Sequence, residues 1–139
     1  MKASLMFRIA AVLIVLFAVG HTIGFRQIDP RWGIDAMIGG MKSARFQAQG
    51  MERTYWDFYV GFGLFVTVFL LLAAALAWQL GSLPPPVLAQ MRSLSWIVTL
   101  AFAVVLFLSW RYFFLAPMVF SAVIFACLLT GTLLSRARP

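Results

Sequence analysis

The residues able to exchange protons near neutral pH are confined to one part of the chain. All four acidic residues and the only histidine of the 139 residues lie between positions 21 and 57. They are His21, Asp29, Asp35, Glu52 and Asp57. A histidine beside a carboxylate can act as an acid or a base. The sequence therefore predicts that any chemistry takes place in this region.

His21 and Asp57 are the candidate catalytic residues, and each has two open interpretations. Thr54 precedes Asp57 by three positions at the start of a long apolar run, which matches a helix capping box. A lone histidine near a helix end is also typical of an interfacial hydrogen-bonding residue. Proton transfer requires that the two side chains meet.

Glycines near both residues predict a close approach of the first two spans. Small residues spaced four apart allow two helix backbones to come together. The contact would place His21 near Asp57. This contact requires the second helix to begin near Met51, which would place Arg53 on the same helix face as Asp57. The glycines are Gly20 and Gly24 on the first span and Gly61 and Gly63 on the second.

A binding site for an amphiphile is the alternative to proton chemistry. Aromatic residues are concentrated just after Asp57 and again around Arg111, and a four-span topology brings both groups to the same membrane face. Arg53 and Arg111 supply cations that can bind a carboxylate or a lipid phosphate. Tyr59, Phe62 and Trp110 complete the predicted ligand-binding set. The competing interpretation is an interfacial aromatic belt.

Metal and haem sites are not expected. One histidine without a group of cysteines does not provide the usual zinc ligands, and a haem would need a methionine as its second axial ligand. We therefore predict no metal and no cofactor. The single cysteine, Cys127, excludes an intramolecular disulfide and is typical of a small buried apolar residue.

The hydrophobic residues, 63% of the chain, are grouped in four runs without formal charge. Three of these runs would span about 27–36 Å as helices, enough for the hydrocarbon layer. We predict an all-α four-helix transmembrane bundle, one membrane domain over residues 1–139, with spans near 5–25, 55–80, 93–110 and 113–135. For the first run, a signal peptide cleaved near 18–20 is the alternative.

The loop over residues 25–54 is too long for a simple connection. Asp29-Pro30 resembles a helix N-cap followed by a proline at the first helical position, and Gly50 is a plausible stop. Apolar residues recur between them at helical spacing, at Met37, Met41, Ala44 and Ala48. This pattern predicts a short amphipathic helix on the membrane surface.

The net charge of +7 comes from bases spread over loop ends, so it does not indicate nucleic-acid binding. Five basic residues and no acid fall on the face that carries both termini. Six basic residues and all four acids fall on the other face. We predict cytoplasmic termini in the bacterial inner membrane, with membrane lipids as partners. The first face carries Lys2, Arg8, Arg92, Arg136 and Arg138.

Three stretches resemble a family of small, uncharacterised bacterial four-span membrane proteins. They are His-Thr-Ile-Gly at 21–24, Glu-Arg-Thr-Tyr-Trp-Asp-Phe-Tyr-Val-Gly-Phe-Gly at 52–63, and Ser-Trp-Arg-Tyr-Phe at 109–113. The resemblance covers the whole chain and implies an architecture without an activity. A weaker resemblance links His21 and Trp56-Asp57 to the EXPERA sterol isomerases and receptors. Their characteristic Glu is missing here, where residues 61–63 read Gly-Phe-Gly.

Three functions follow from these residues. The leading one is non-enzymatic binding of a lipid-like or isoprenoid ligand, or of a partner subunit, at a polar site on the periplasmic side. The second is a small isomerase-like membrane enzyme that uses His21 and Asp57 for proton transfer. The third is a purely structural subunit of a larger complex.

The charge asymmetry predicts the topology. Reporter fusions after Pro139 and within residues 84–86 should report the cytoplasm, and a fusion near Gly40 should report the periplasm. A periplasmic signal from the carboxyl terminus would refute this arrangement.

Overall fold

A computed structural model describes residues 2–135 and shows a helical protein. In chain order its α-helices are α1 (Ala3–Gly24), α2 (Asp35–Ser43), α3 (Tyr55–Ser82), α4 (Pro85–Gln90), α5 (Arg92–Tyr112) and α6 (Leu115–Leu134). Within this range four helices, α1, α3, α5 and α6, are long and apolar enough to cross a membrane. The predicted all-α four-helix architecture is confirmed, and the protein is a multi-pass membrane protein. Arg136 and Arg138, which contribute to the predicted charge asymmetry, lie outside the described residues.

Prolines set two of the helix boundaries. α3 ends at Ser82, and Pro84 is the N-cap of α4, whose first residue is Pro85. Pro117 lies in the first turn of α6, where its missing N–H costs no helical hydrogen bond.

The connection between α5 and α6 is short. Helical hydrogen bonding continues through Tyr112. The Phe113 N–H donates to the Ser109 carbonyl at 3.1 Å. Only residues 113–114 separate α5 from α6, and Arg111 lies in the last turn of α5 rather than in a turn between helices.

The chain divides into two compact units. The bundle unit contains the residues up to Ala18 and those from Leu70 onward. The loop unit contains Val19–Phe69. The prediction of a single membrane domain stays a prediction.

The bundle unit has a continuous apolar core. Phe7 and Ile14 of α1 are fully buried, as are Leu80, Ile124 and Leu128 from the other long helices. A Cβ on Gly131 would lie 3.1 Å from the Phe7 ring, so the glycine gives this large side chain its space. Removing an aromatic side chain from such a core typically costs about 3–5 kcal/mol.

Buried hydroxyl groups link α5 to α6. Thr99 and Thr132 are fully buried, and their Oγ1 atoms are 2.9 Å apart. The Thr99 hydroxyl donates to the Ser95 carbonyl at 2.8 Å, and the Thr132 hydroxyl, 3.3 Å from the same carbonyl, donates to Thr99. Within residues 2–135, no buried side-chain nitrogen or oxygen lacks a hydrogen-bond partner. These bonds satisfy polar groups that a bilayer would leave unpaired.

Arg8 caps the carboxyl end of α3. Its Nε donates to the Gly81 carbonyl at 3.0 Å, which is one of the carbonyls that a helix end leaves without a partner. A Cβ at position 81 would lie 2.8 Å from Arg8 Cγ and 2.9 Å from the Ser4 carbonyl oxygen. Gly81 is therefore required for this close approach.

The loop unit contains a β-hairpin where the sequence predicted helix. Strands β1 (Arg45–Ala48) and β2 (Met51–Thr54) pair antiparallel, with Ala48 opposite Met51. Gln49 and Gly50 have φ of 52° and 82°, as a two-residue hairpin turn requires.

The predicted amphipathic helix is therefore shorter than expected. Met37 and Met41 lie on α2, but Ala44 is extended and Ala48 is in β1, so the prediction of one helix up to Gly50 is wrong. The hairpin replaces the end of that helix because residues 49–50 turn the chain back. The Asp29-Pro30 cap is present, but it begins a separate 3-10 helix, Pro30–Trp32.

Gly81→Ala should destabilise the protein by roughly 1–3 kcal/mol, because the added methyl group overlaps Arg8 and the Ser4 carbonyl. Thermal unfolding in detergent measures the loss. Gly20→Ala is the control, since a Cβ there meets no heavy atom within 4 Å and should be neutral or slightly stabilising. Equal melting temperatures for the two variants would contradict the packing described here.

Candidate functional site

A polar cluster in the loop unit joins the end of α1 to the first half of α3. His21 Nε2 lies 2.9 Å from the Gly63 carbonyl oxygen. Thr67 Oγ1 donates to the same carbonyl at 3.2 Å, and it lies 2.8 Å from Thr22 Oγ1. We call these four residues, His21, Thr22, Gly63 and Thr67, the His21 cluster.

The bond to Gly63 shows which ring nitrogen of His21 carries a hydrogen. A carbonyl oxygen only accepts hydrogen bonds, so His21 Nε2 carries the hydrogen and donates it. In the neutral ring, Nδ1 then holds a lone pair and can accept a proton or a hydrogen bond.

Gly63 leaves room for the Phe25 ring, which packs against His21. A Cβ at position 63 would lie within 2.7 Å of three carbon atoms of the Phe25 ring. Phe25 stacks on His21 with ring centroids 5.1 Å apart. Tyr59 donates its hydroxyl hydrogen to the Phe25 carbonyl at 2.6 Å. The aromatic residues thus hold the chain that follows α1 against α3.

Aromatic rings form two rows beside the His21 cluster, and the rings within each row contact one another. In the first row, Phe25 contacts Tyr59, which stacks on Trp56 at 5.3 Å. In the second, Phe46 of the hairpin contacts Tyr55 and Phe58, and Phe58 contacts Phe62. Phe62 is 62% exposed and Tyr59 43% exposed. We call these rows the aromatic surface.

Two cations lie over rings of the first row. The Arg26 guanidinium is 5.3 Å from the centre of the Phe25 ring, and Lys42 Nζ is 4.7 Å from the centre of the Trp56 ring. Arg26 also donates to the Thr22 carbonyl at 3.3 Å. Neither cation makes a salt bridge within the described part of the chain.

Asp57 is held in the capping box. Its carboxylate accepts from the Thr54 N–H at 2.8 Å and from the Thr54 hydroxyl at 2.9 Å, while the Asp57 N–H donates to Thr54 Oγ1 at 3.1 Å. The hydrogen bonds of Asp57 and His21 therefore go to different partners. The helix begins at Tyr55, not near Met51, because residues 51–54 pair in the hairpin.

Asp29 and Glu52 form local ion pairs. Asp29 pairs with Arg31, and these hydrogen bonds lower the pKa of the Asp29 carboxyl. Glu52 pairs with Arg45 across the hairpin and raises the pKa of that guanidinium. Residues 2–135 contain no group of three His, Cys, Asp or Glu side chains able to hold a metal.

The other predicted ligand-binding residues make separate contacts. Arg53 donates to the Glu52 carbonyl at 2.7 Å and lies 3.2 Å from the sulfur of Met51. Arg111 and Trp110 belong to the bundle unit, where Arg111 lies over the Tyr112 ring and Trp110, 64% exposed, contacts Phe107.

Only one of the four predicted packing glycines has a neighbour at its Cβ position. Gly63 meets the Phe25 ring, whereas a Cβ on Gly20, Gly24 or Gly61 would meet no heavy atom within 4 Å. The Gly20 and Gly24 pair predicted a close approach of two helix backbones. The contact between α1 and α3 is instead made through side chains.

Sequence reasoning did not single out the residues that complete the His21 cluster. Thr67 and Phe25 each lie four positions from a cluster partner, Gly63 and His21, on the same helical face. This four-residue spacing is the feature of the sequence that could have identified both residues. The backbone acceptor at Gly63 has no signature in the sequence.

Comparison with protein-family models, curated proteins and solved structures finds no match to this chain. The functional argument therefore depends on the geometry of the described residues.

The capping box predicts a matched set of stability changes. Thr54→Ala should lower the free energy of unfolding by about 1 kcal/mol, and Thr54→Ser should preserve it because the hydroxyl is kept. Asp57→Ala should also destabilise, and the double variant should cost less than the sum of the two substitutions, because each of them removes the bond between the Thr54 hydroxyl and the Asp57 carboxylate. Chemical unfolding in detergent measures all four. Additive effects in the double variant would contradict the shared bonds.

Proposed function

We propose that this multi-pass membrane protein binds an amphiphile with an anionic head at the aromatic surface of the loop unit. The observation that carries the proposal is the pairing of exposed rings with cations that lack a carboxylate partner. The aromatic surface would contact the apolar chain of the ligand. The head would lie against Arg26, Lys42 and His21.

Charge supports an anionic head. Asp29 and Glu52 pair with Arg31 and Arg45, and the hydrogen bonds of Asp57 go to Thr54. By contrast, Arg26, Lys42 and Arg53 make no salt bridge among residues 2–135. A phosphate or carboxylate would pair with these cations through charge-assisted hydrogen bonds, which are stronger than bonds between neutral groups.

Ring exposure supports an apolar tail. Tyr55 and Phe62 are each more than half exposed, and Phe58 and Tyr59 nearly half. Aromatic side chains provide a large contact area with few rotatable bonds, so they lose little conformational entropy when a ligand binds. An isoprenoid or acyl chain fits this chemistry.

We further propose that the protein lies in the bacterial inner membrane with cytoplasmic termini. The loop unit would then face the periplasm. The face that carries both termini has five basic residues and no acidic residue, which supports this orientation.

A second candidate function is proton transfer by His21. The bond to Gly63 leaves Nδ1 of the neutral ring free to act as a base. Asp57 would not act with His21 in this version, because its carboxylate is committed to Thr54. Loss of turnover in His21→Ala with ligand binding retained would favour this function.

Two probes with matched tails test the binding proposal: farnesyl phosphate and farnesol. Delipidated full-length protein should bind farnesyl phosphate more tightly in native mass spectrometry. Lys42→Gln and Arg26→Gln should each weaken that binding roughly tenfold, as expected for the loss of one charged contact, and leave farnesol binding unchanged. Phe62→Ala should weaken both.

Arg31→Gln is the control, because Arg31 is already paired with Asp29. An equal loss in Arg31→Gln, or equal affinity for the two probes, would reject the anionic-head proposal. No binding of either probe would favour the structural-subunit alternative.

A further inference from the structure

An open apolar groove lies between α1 and α3 within the bundle unit. Its volume is about 540 Å³, within the range of roughly 300–1,000 Å³ typical of ligand sites. Apolar side chains form most of its lining, and small alanines give it depth. The lining includes Ala11, Val15, Leu71, Ala75, Trp78 and Gln79.

One end of the groove has polar and cationic character. Trp78 and Gln79 lie in the last turns of α3, and the Arg8 guanidinium is 5.6 Å from the centre of the Trp78 ring. Arg8 Nε is bound to the Gly81 carbonyl, and this bond places the cation at the end of α3. The other N–H groups of the Arg8 guanidinium have no acceptor among the described residues.

The charge of the bundle unit selects the ligand. None of the four acidic residues of the chain lies in this unit, and Arg8 makes no salt bridge with any residue in the described range 2–135. Arginine binds phosphate through its remaining, planar set of donors. Trp78, Val12 and Leu16 are about half exposed along the groove, as surfaces that contact acyl chains would be.

We propose that this groove binds one acyl chain of an anionic phospholipid, with Arg8 donating hydrogen bonds to its phosphate. The site is independent of the proposed function, because none of its residues belongs to the loop unit. Leu71 to Gln79 covers about 12 Å of helix, which seats part of an acyl chain beside the headgroup.

Native mass spectrometry of delipidated full-length protein with phosphatidylglycerol or phosphatidylcholine tests this site. The wild type should retain phosphatidylglycerol preferentially. Ala75→Phe fills the groove and should lower the occupancy of both lipids roughly tenfold. Arg8→Gln should remove the preference for phosphatidylglycerol while phosphatidylcholine still binds, which shows that the groove remains folded.

Each variant has a matched control. Ala101→Phe adds the same bulk at an exposed position of α5 outside the groove, and Arg92→Gln removes the same charge at the start of α5. Val12→Trp is a second way to fill the groove if Ala75→Phe does not fold. The same measurements in a Lys42→Gln background, where the aromatic surface should bind less anionic lipid, should show the same losses in Ala75→Phe and Arg8→Gln, which separates this site from the aromatic surface.

Equal losses in Ala75→Phe and Ala101→Phe would overturn the groove as the site. An equal loss of preference in Arg8→Gln and Arg92→Gln would overturn the role of Arg8, and so would a wild type that does not distinguish the two lipids.

Discussion

A bilayer offers no hydrogen-bond partners, so polar groups within the spans must be satisfied by the protein itself. This constraint explains the long-range bonds of both units. Thr99 bonds Thr132 inside the bundle unit, and His21 bonds the Gly63 carbonyl in the loop unit. A helix carbonyl is already an acceptor for its own helix, and it can take a second bond only where a neighbouring side chain approaches closely. Glycine also permits close packing beside both acceptors, of the Phe25 ring at Gly63 and of Arg8 at Gly81, whose carbonyl lies at a helix end.

The charges outside the spans follow a different rule. Three of the four carboxylates are used by residues close in sequence: Asp29 by Arg31, Glu52 by Arg45 and Asp57 by Thr54. Two of the remaining cations lie over aromatic rings, Arg26 over Phe25 and Lys42 over Trp56. A cation over an aromatic ring keeps most of its capacity to bind an anion. The excess of positive charge beside exposed rings is what supports the proposal of an anionic amphiphile as the ligand.

The sequence predicted the four long helices because their apolar runs and proline boundaries are local features. It also contained the Thr54–Asp57 cap, whose residues are three positions apart. The hairpin was not predicted, because methionine and alanine residues at helical spacing indicated a helix that continues to Gly50. The turn residues Gln49 and Gly50 were not recognised as a hairpin turn. The partner of His21 could not be predicted, since a backbone carbonyl 42 positions away carries no residue-type signal. Long-range contacts of this kind depend on how helices pack, not on local composition.

The His21–Gly63 bond ties the end of α1 to α3 beside the proposed ligand site, and it can be observed directly. Because the chain has a single histidine, its imidazole ¹⁵N signals in bilayers belong to His21 without further assignment. Solid-state NMR at neutral pH should show a hydrogen on Nε2 in a strong hydrogen bond. On adding farnesyl phosphate, the Nδ1 signal should shift while Nε2 stays bonded to Gly63. A neutral ring with its hydrogen on Nδ1, or one that exchanges between tautomers like free imidazole, would contradict the account.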